Sequence, residues 1–334
     1  MPNIRMGRWI GIALATFAPL AAARAEVAEV QITQQFGIGN LPLMLMQHDK
    51  LVEKQAAARG LADLKATFTA FTGPTAMVEG ILSGALHVAL LGPPSLALLW
   101  DKTNGNVKSI GGITTYNLYL NTRNPDIKSI RDFTDKDRIA LPGVKTSAMS
   151  IMLQMAAERE FGPGQQFKLD PLTVALGHPD GMTAVLNPKS EIDAHFTSSP
   201  FHEREVKAGL RTITTANDIN GGQSSAVLLA ATEKFRGDNP KVYAAVIAAV
   251  DEAVGWLKAD ERRAVKLYLE MAKGAQMTEE DGIAMLKSSG FEFTRTPHNV
   301  GNVFNFMARV GLIKSKPASW KDLFFPEAAS LPGS

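Results

Sequence analysis

The sequence predicts an α/β protein with two parallel-sheet lobes around a central cleft and with its C-terminal helices on lobe one. The first observation is a repeat: residues 73–94 are echoed at 177–200, and each copy holds a loop, a helical run, an apolar strand and a second loop. The second is an alternation of strand and helix patterns, which is typical of parallel sheets covered by helices. Two similar lobes that both direct helix N-termini at one cleft indicate a protein that closes on a small ligand.

The first lobe is predicted from the patterns in residues 26–118. Short stretches that are apolar throughout or at every second position predict strands, and longer amphipathic stretches predict helices. The strands are expected at residues 27–36, 62–71, 86–91 and 107–115, and the helices at 41–58, 74–83 and 95–102.

A change in composition near residues 119–128 marks a crossover into the second lobe, which we place at residues 119–216. Its strands are expected at 138–141, 169–176, 192–196 and 211–214, and a helix at 146–160. Residues 217–334 should return to lobe one, with a strand at 224–230 in the first sheet and helices packed on it at 240–258, 260–273, 278–288 and 299–311.

The N-terminus predicts export. Arg5 and Arg8 precede an apolar run at residues 9–23, and Ala23-Arg24-Ala25 fits a signal-peptidase site, so residues 1–25 are expected to be a signal peptide. The run is shorter than the roughly 20 apolar residues that a spanning helix needs. A chain without cysteine cannot carry a lipoprotein anchor or a disulfide. We therefore expect a periplasmic protein that begins at Glu26 and has no lipid anchor.

Charge and motifs argue against several functions. The formal charge of +2 includes three arginines and no acid in residues 1–25, so the remaining chain has a net charge of −1. A nearly neutral chain without a basic block is not expected to bind nucleic acid. It lacks a Gly-x-Ser-x-Gly elbow, a Walker loop and a histidine pair with metal-ligand spacing. We therefore expect no catalysis, no cofactor and no metal.

Seven short motifs together resemble one protein family. In order along the chain they are residues 41–43 (LPL), 71–74 (FTGP), 82–89 (LSGALHVA), 92–95 (GPPS), 129–133 (SIRDF), 138–143 (RIALPG) and 192–197 (IDAHFT). Each motif is weak alone, but their order over roughly residues 28–270 is similar to that of the nitrate/sulfonate/taurine-type periplasmic binding proteins. These are the substrate-capturing components of ABC importers.

The resemblance implies a type II periplasmic-binding-protein fold, ligand capture between the lobes by hinge closure, and delivery to an inner-membrane permease by a monomer. A small organic anion such as a sulfonate or a carboxylate is the ligand it suggests. The chain departs from the family at residues 195–201, where an aromatic-acidic stretch is usual, and this puts a sulfonate or nitrate ligand in doubt.

Two alternatives stay open, and a third is argued against. The ligand could be a pyrimidine or an aromatic acid held by His195, Phe196 and Tyr116. The protein could also present a ligand to a membrane receptor as a sensor partner. A pyrimidine-forming enzyme family shares the fold and is similar in sequence, but it depends on a cysteine-rich motif that a chain without cysteine cannot contain.

Candidate ligand-binding residues lie in loops that precede helices or follow strands. Helix N-termini attract anions, glycine permits close backbone approach, and hydroxyl groups and neutral imidazole offer hydrogen bonds. Ordinary helix capping is the competing explanation for the hydroxyl groups. The candidates are Gly39, Asn40, Thr72, Gly73, Thr75, Pro93, Ser95, Tyr116, Asn117, Lys145, Thr146, Ser147, His178, His195, Thr197 and Ser198.

Overall fold

The computed structural model describes residues 25–34, 37–70, 74–145, 147–272, 277–288 and 290–334, without the side chains of Pro74 and Thr75. The predicted signal peptide, residues 1–25, lies outside these ranges except for its last residue. No helix in the described ranges is both long enough and apolar enough to span a bilayer.

The strands of the described residues form a two-stranded and a four-stranded sheet in lobe one and a five-stranded sheet in lobe two. They are β1 (Glu29–Gln34), β2 (Lys65–Ala70), β3 (Ala89–Leu91), β4 (Val107–Thr115), β5 (Tyr119–Thr122), β6 (Ile139–Leu141), β7 (Thr173–Ala175), β8 (Ala194–Thr197), β9 (Arg211–Thr215), β10 (Ser225–Thr232) and β11 (Glu292–Phe293).

In lobe one the two-stranded sheet β2-β1 lies beside the four-stranded sheet β3-β10-β4-β11. β1 and β2 are parallel, and a parallel bridge between Ile32 and Val88 joins β1 to the segment that leads into β3. β10 is antiparallel to both β3 and β4, as expected for a strand that enters from the far end of the chain. The strand predicted at 224–230 therefore does return to the first sheet.

The sheet of lobe two has the order β7-β6-β8-β5-β9 and repeats this arrangement. β6 lies between the parallel strands β7 and β8, and the crossover strand β5 is antiparallel to β8 and β9. β3 and β8 therefore occupy equivalent third positions. Since they are the strands of the two sequence repeats, the repeat corresponds to two lobes of equal topology.

Helices cover both sheets. They are α1 (Leu41–His48), α2 (Leu51–Ala57), α3 (Pro74–Ser83), α4 (Pro93–Lys102), α5 (Ala148–Phe161), α6 (His178–Leu186), α7 (Phe201–Lys207), α8 (Ala216–Asn220), α9 (Glu233–Asp238), α10 (Pro240–Ala259), α11 (Glu261–Met271), α12 (Glu279–Leu286), α13 (Val300–Arg309) and α14 (Pro326–Ala329).

The prediction of one helix at residues 41–58 is wrong, because the chain forms α1 and α2 there. Lys50 adopts the left-handed conformation, with φ of 49°, and such a residue ends an α-helix. The C-terminal helices lie on lobe one as expected: α10 packs on α1 and α2, and α11 packs on α1.

Candidate functional site

A cavity of about 400 Å³ lies between the two lobes. Lobe one contributes the turn after β1, the end of β4 and the C-terminal region, and lobe two contributes α5, the start of α6 and the loop after β8. The lining residues are Gly37, Ile38, Gly39, Asn40, Tyr116, Met149, His178, Ser198, Ser199, Pro200, Phe201, Tyr268 and Phe291. The volume falls within the range typical of small-molecule sites.

The lobe-one wall is a tight turn held against Tyr116. Residues 38–40 form a single 3₁₀ turn, and the hydroxyl of Thr114 donates a hydrogen bond to the carbonyl oxygen of Gly39 at 2.5 Å. A Cβ atom at Gly39 would lie 2.8 Å from the Tyr116 ring, so only glycine allows this approach. Burial raises the pKa of the Tyr116 phenol, which is therefore uncharged at neutral pH.

Aromatic side chains supply much of the apolar surface of the cavity. Tyr116 stacks on Phe291 with ring centroids 6.4 Å apart, and His178 stacks on Phe201 at 5.4 Å. Tyr268 completes this set, and burial raises the pKa of its phenol despite the nearby charge of Arg204. A ligand with a ring or another apolar body would find matching surface here.

Behind the lobe-two wall lies a buried polar chain, His178–His195–Glu205–Asn121. Nδ1 of His178 lies 3.3 Å from Nε2 of His195, and Nδ1 of His195 lies 2.6 Å from a carboxylate oxygen of Glu205. The other oxygen of Glu205 accepts a hydrogen bond from Nδ2 of Asn121 at 2.8 Å. His195, Glu205 and Asn121 are all 0% exposed, so only His178 reaches the cavity.

Gly181 allows α6 to lie directly on this chain. A Cβ atom there would be 2.6 Å from Nε2 of His195 and 2.9 Å from Cε1. The imidazole of His195 cannot retreat, because Glu205 holds its other side. Glycine at this position therefore sets how closely His178, three residues earlier on α6, approaches His195.

The described wall of the cavity is uncharged at neutral pH. Burial, and secondly the charge that His195 can carry, lower the pKa of His178 to about 4, so its imidazole is neutral at pH 7. The lining residues include no lysine, arginine, aspartate or glutamate among the described residues. Arg204 and Lys207 instead line a neighbouring groove between α7 and α12.

Several of the residues predicted from sequence meet at this cavity. Gly39, Asn40, Tyr116, His178 and Ser198 line it. Pro93 lines an adjoining space of about 60 Å³ that shares Tyr116 and Met149 with it.

Two of the candidates on β8 do not reach the cavity. His195 and Thr197 are each 0% exposed. His195 points behind the wall because Glu205 and His178 bind both of its ring nitrogens. His195, which the sequence suggested as a ligand contact, therefore lies behind His178, and His178 is the histidine that lines the cavity.

Four other candidates lie elsewhere. Asn117 is buried between the crossing segments, where its side-chain oxygen accepts hydrogen bonds from the backbone N–H groups of Leu118 and Asn217 at 3.0 Å. Ser147 caps α5 by accepting from the N–H of Ser150. Lys145 is exposed in a separate depression, and Ser95 is half-buried within α4. The sites proposed at Lys145, Ser147, Ser95 and Asn117 are thus not part of this cavity.

The remaining candidates cannot be placed. Thr72, Gly73 and Thr146 lie outside the described residues, and the side chain of Thr75 is not described.

Sequence reasoning missed Met149, Tyr268, Phe291 and Glu205. Tyr268 is only 9% exposed, as a core residue would be, but it lies at the cavity. No local pattern distinguishes such aromatics, since their position depends on how the C-terminal segment packs on lobe one. For the partner of His195, the sequence offered one signal, an acidic residue ten positions later at Glu205.

Comparison with known proteins supports the fold. Neither the known protein-family models nor the curated proteins give a match. Among solved structures, the periplasmic aliphatic sulphonate binding protein SsuA from Escherichia coli is 15% identical, with a TM-score of 0.67 over 90% of this chain and 92% of that one. A protein from Bordetella bronchiseptica RB50 is 16% identical, with a TM-score of 0.70 over 91% and 96%.

A third solved structure is also similar. A Candida albicans protein described as having the generic periplasmic binding protein structural fold is 13% identical, with a TM-score of 0.64 over 86% of this chain and 91% of that one. At these identities the likeness establishes the fold, which is that of the periplasmic binding proteins.

Proposed function

We propose that this chain is the solute-binding component of an ABC importer, which captures a small organic solute and delivers it to an inner-membrane permease. The observation that carries the proposal is the cavity of about 400 Å³ whose walls come from both lobes. A solute bound there contacts both lobes at once and so stabilises their closed arrangement over the open one. The similar structure of a periplasmic sulphonate binding protein supports solute binding by this fold.

The hinge is proposed to lie where the chain crosses between the lobes. One crossing connects β4 to β5, and the other connects β9 to β10 through α8. Asn117 in the first crossing accepts a hydrogen bond from the N–H of Asn217 in the second, which couples the two. This supports the division into residues 26–118 and 217–334 for lobe one and 119–216 for lobe two.

Location and partners follow from the same proposal. The predicted signal peptide at residues 1–25 would place a monomer free in the periplasm, where it would meet the permease. The proposed function needs no catalytic residue and no cofactor. The sensor alternative uses the same cavity and would differ only in the membrane protein that receives the closed form.

The lining of the cavity bears on the ligand. A simple inorganic anion would leave the aromatic surface of Tyr116, Phe201, Tyr268 and Phe291 unused. The hydroxyl group of Ser198 and the imidazole of His178 suit a polar head group without the need for a charged partner. These features favour an organic solute with a ring or apolar body, such as an aromatic acid, over nitrate.

A thermal-shift screen of residues 26–334 tests the function. A ligand present at about 100 times its dissociation constant should add roughly 2.7 kcal/mol of stability. The panel should contain sulfonates, carboxylates, pyrimidines and nitrate. Ser198→Trp should fill the cavity and abolish the shift, whereas Ser330→Trp, at an exposed position far along the chain, should leave it intact. A shift that survives Ser198→Trp would contradict binding in this cavity.

A further inference from the structure

The buried polar chain of lobe two ends at the cavity in one unbonded nitrogen. Nδ1 of His178 faces His195, and the hydroxyl of Thr197 lies 3.4 Å from the same atom. Nε2 of His178, on the other side of the ring, makes no hydrogen bond with the described residues and is the nitrogen available to a ligand. Whether this Nε2 atom donates or accepts a hydrogen bond depends on which atoms of His178, His195 and Glu205 carry hydrogens.

Asn121, at the other end of this polar network, also bonds to Thr212. The hydroxyl of Thr212 donates to Oδ1 of Asn121 at 2.8 Å, and Nδ2 of Asn121 donates to Glu205. One oxygen of Glu205 therefore accepts from Asn121, and the other faces His195. Position 205 must keep an acceptor toward Asn121 whatever occurs at its other oxygen.

Glu205 and His195 together can hold either of two proton counts, one proton or two. With one proton, it lies on Nδ1 of His195 and is donated to the Glu205 carboxylate; Nε2 of His195 then accepts from Nδ1–H of His178, whose own Nε2 is left as an acceptor. With two protons, and with Asn121 donating to the other oxygen of Glu205, Nε2 of His195 carries a hydrogen wherever the second proton lies. It then donates to Nδ1 of His178, and the hydrogen of His178 must be on Nε2, facing the cavity.

Burial favours the second count. With one proton the pair carries a net negative charge, and both side chains are 0% exposed. A buried charge without a counter-charge is far more costly than a neutral pair. The surrounding titratable groups are His178 and Asp180 of α6, Tyr119 of β5, and His202, Glu203 and Arg204 of α7. Burial lowers the pKa of His202, so it supplies no cation at neutral pH. Arg204 lines the groove between α7 and α12, and the hydrogen-bond partners of Glu205 are His195 and Asn121.

We propose that Glu205 and His195 hold the second proton at neutral pH, so that His178 presents an Nε2–H donor to an acceptor atom of the ligand. This rests on the solute-binding function proposed above and narrows the ligand to solutes with an acceptor: a carboxylate, sulfonate or carbonyl oxygen, or a ring nitrogen. His195 and Glu205 are positioning residues that act through His178.

Nitrogen NMR of ¹⁵N-histidine-labelled protein tests the assignment without any ligand. Among the signals of the six histidines, those of His178 are the ones that disappear in His178→Phe, a variant that keeps an aromatic ring against Phe201. We expect Nε2 of His178 to carry the hydrogen at pH 6.5. An unprotonated Nε2 at pH 6.5 would overturn the proposal, while leaving the solute-binding function to the thermal-shift screen.

Glu205→Gln provides a matched variant. Its amide oxygen should accept from Asn121, and its NH₂ group should then donate to Nδ1 of His195, which fixes the hydrogen of His195 on Nε2. We expect Nε2 of His178 to carry the hydrogen in this variant, as in the wild type at pH 6.5. A variant with the hydrogen on Nε2 beside a wild type with it on Nδ1 would show that Glu205 and His195 do not hold the second proton.

Ring probes of similar size test the ligand class. Benzoate and benzenesulfonate carry acceptor oxygens, whereas aniline and indole offer donors. We expect the acceptor probes to stabilise the wild type more, and His178→Phe to weaken their binding about tenfold, the value of a typical hydrogen bond. Greater stabilisation by aniline and indole would show that the cavity accepts hydrogen bonds and would overturn the proposal.

Discussion

Gly181→Ala is the substitution whose effect follows most directly from the geometry. The new methyl group would lie 2.6 Å from Nε2 of His195 and 3.0 Å from Cδ2, well inside contact distance. Because Glu205 holds His195 from the other side, α6 must move away or the imidazole must break a hydrogen bond. Overpacking of this kind costs about 1–3 kcal/mol, which exceeds the gain of roughly 0.5–1 kcal/mol from replacing a helical glycine.

Gly255→Ala in α10 is the matched control. A Cβ atom there meets nothing within 4 Å, so only the helix-propensity gain remains and stability should rise by about 0.5–1 kcal/mol. Thermal melts of the two variants should therefore move in opposite directions, by about 2–4 °C per kcal/mol. Equal stabilisation by both alanines would refute the close contact between α6 and His195. Gly181→Ala should also weaken solute binding, since it displaces His178.

Three further outcomes are expected. Because the pKa of His178 is lowered from 6.5 to about 4, the unfolded chain binds a proton below pH 6.5 that the folded chain does not bind. The free energy of unfolding should therefore fall by up to about 3 kcal/mol between pH 7 and pH 4. Urea melts of His178→Phe across this pH range should not show that contribution. Arg309→Gln removes a two-bond ion pair with Glu158 that joins α13 to α5; since Arg309 is 57% exposed, the loss should be below about 1 kcal/mol and should vanish at high salt. Asn117→Ala leaves two backbone N–H groups at the crossings without their acceptor, so it should cost about 1–3 kcal/mol in thermal melts, and an unchanged melting temperature would show that water replaces the side chain.

The repeat made much of the fold predictable from sequence. Because residues 73–94 and 177–200 share one pattern, α3 with β3 and α6 with β8 could be assigned to equivalent places in two lobes, and the structure has them there. The break between α1 and α2 was not predictable, since the apolar pattern continues across it and only the left-handed conformation of Lys50 ends α1.

The site was predictable in part, for a physical reason. Local loop chemistry identified His178 and Asn40, which lie beside helix starts. The direction of His195 depends on Glu205, which a separate helix brings beneath the sheet. Lys145 was chosen for its charge, but its left-handed backbone, with φ of 63°, belongs to a loop that directs it to a different surface. Long-range packing of this kind leaves no mark on a local sequence pattern.

Closure of the lobes on a bound solute is the central claim, and a distance measured between the lobes tests it most directly. The chain has no cysteine, so Glu79→Cys on α3 and Thr183→Cys on α6 would place one label in each lobe at equivalent, exposed positions of the repeat. Spin-label distances should be recorded with and without a solute that stabilises the protein. We expect the addition of solute to replace a broad distribution by a shorter, narrower one. A stabilising solute that leaves the distribution unchanged would contradict capture by closure.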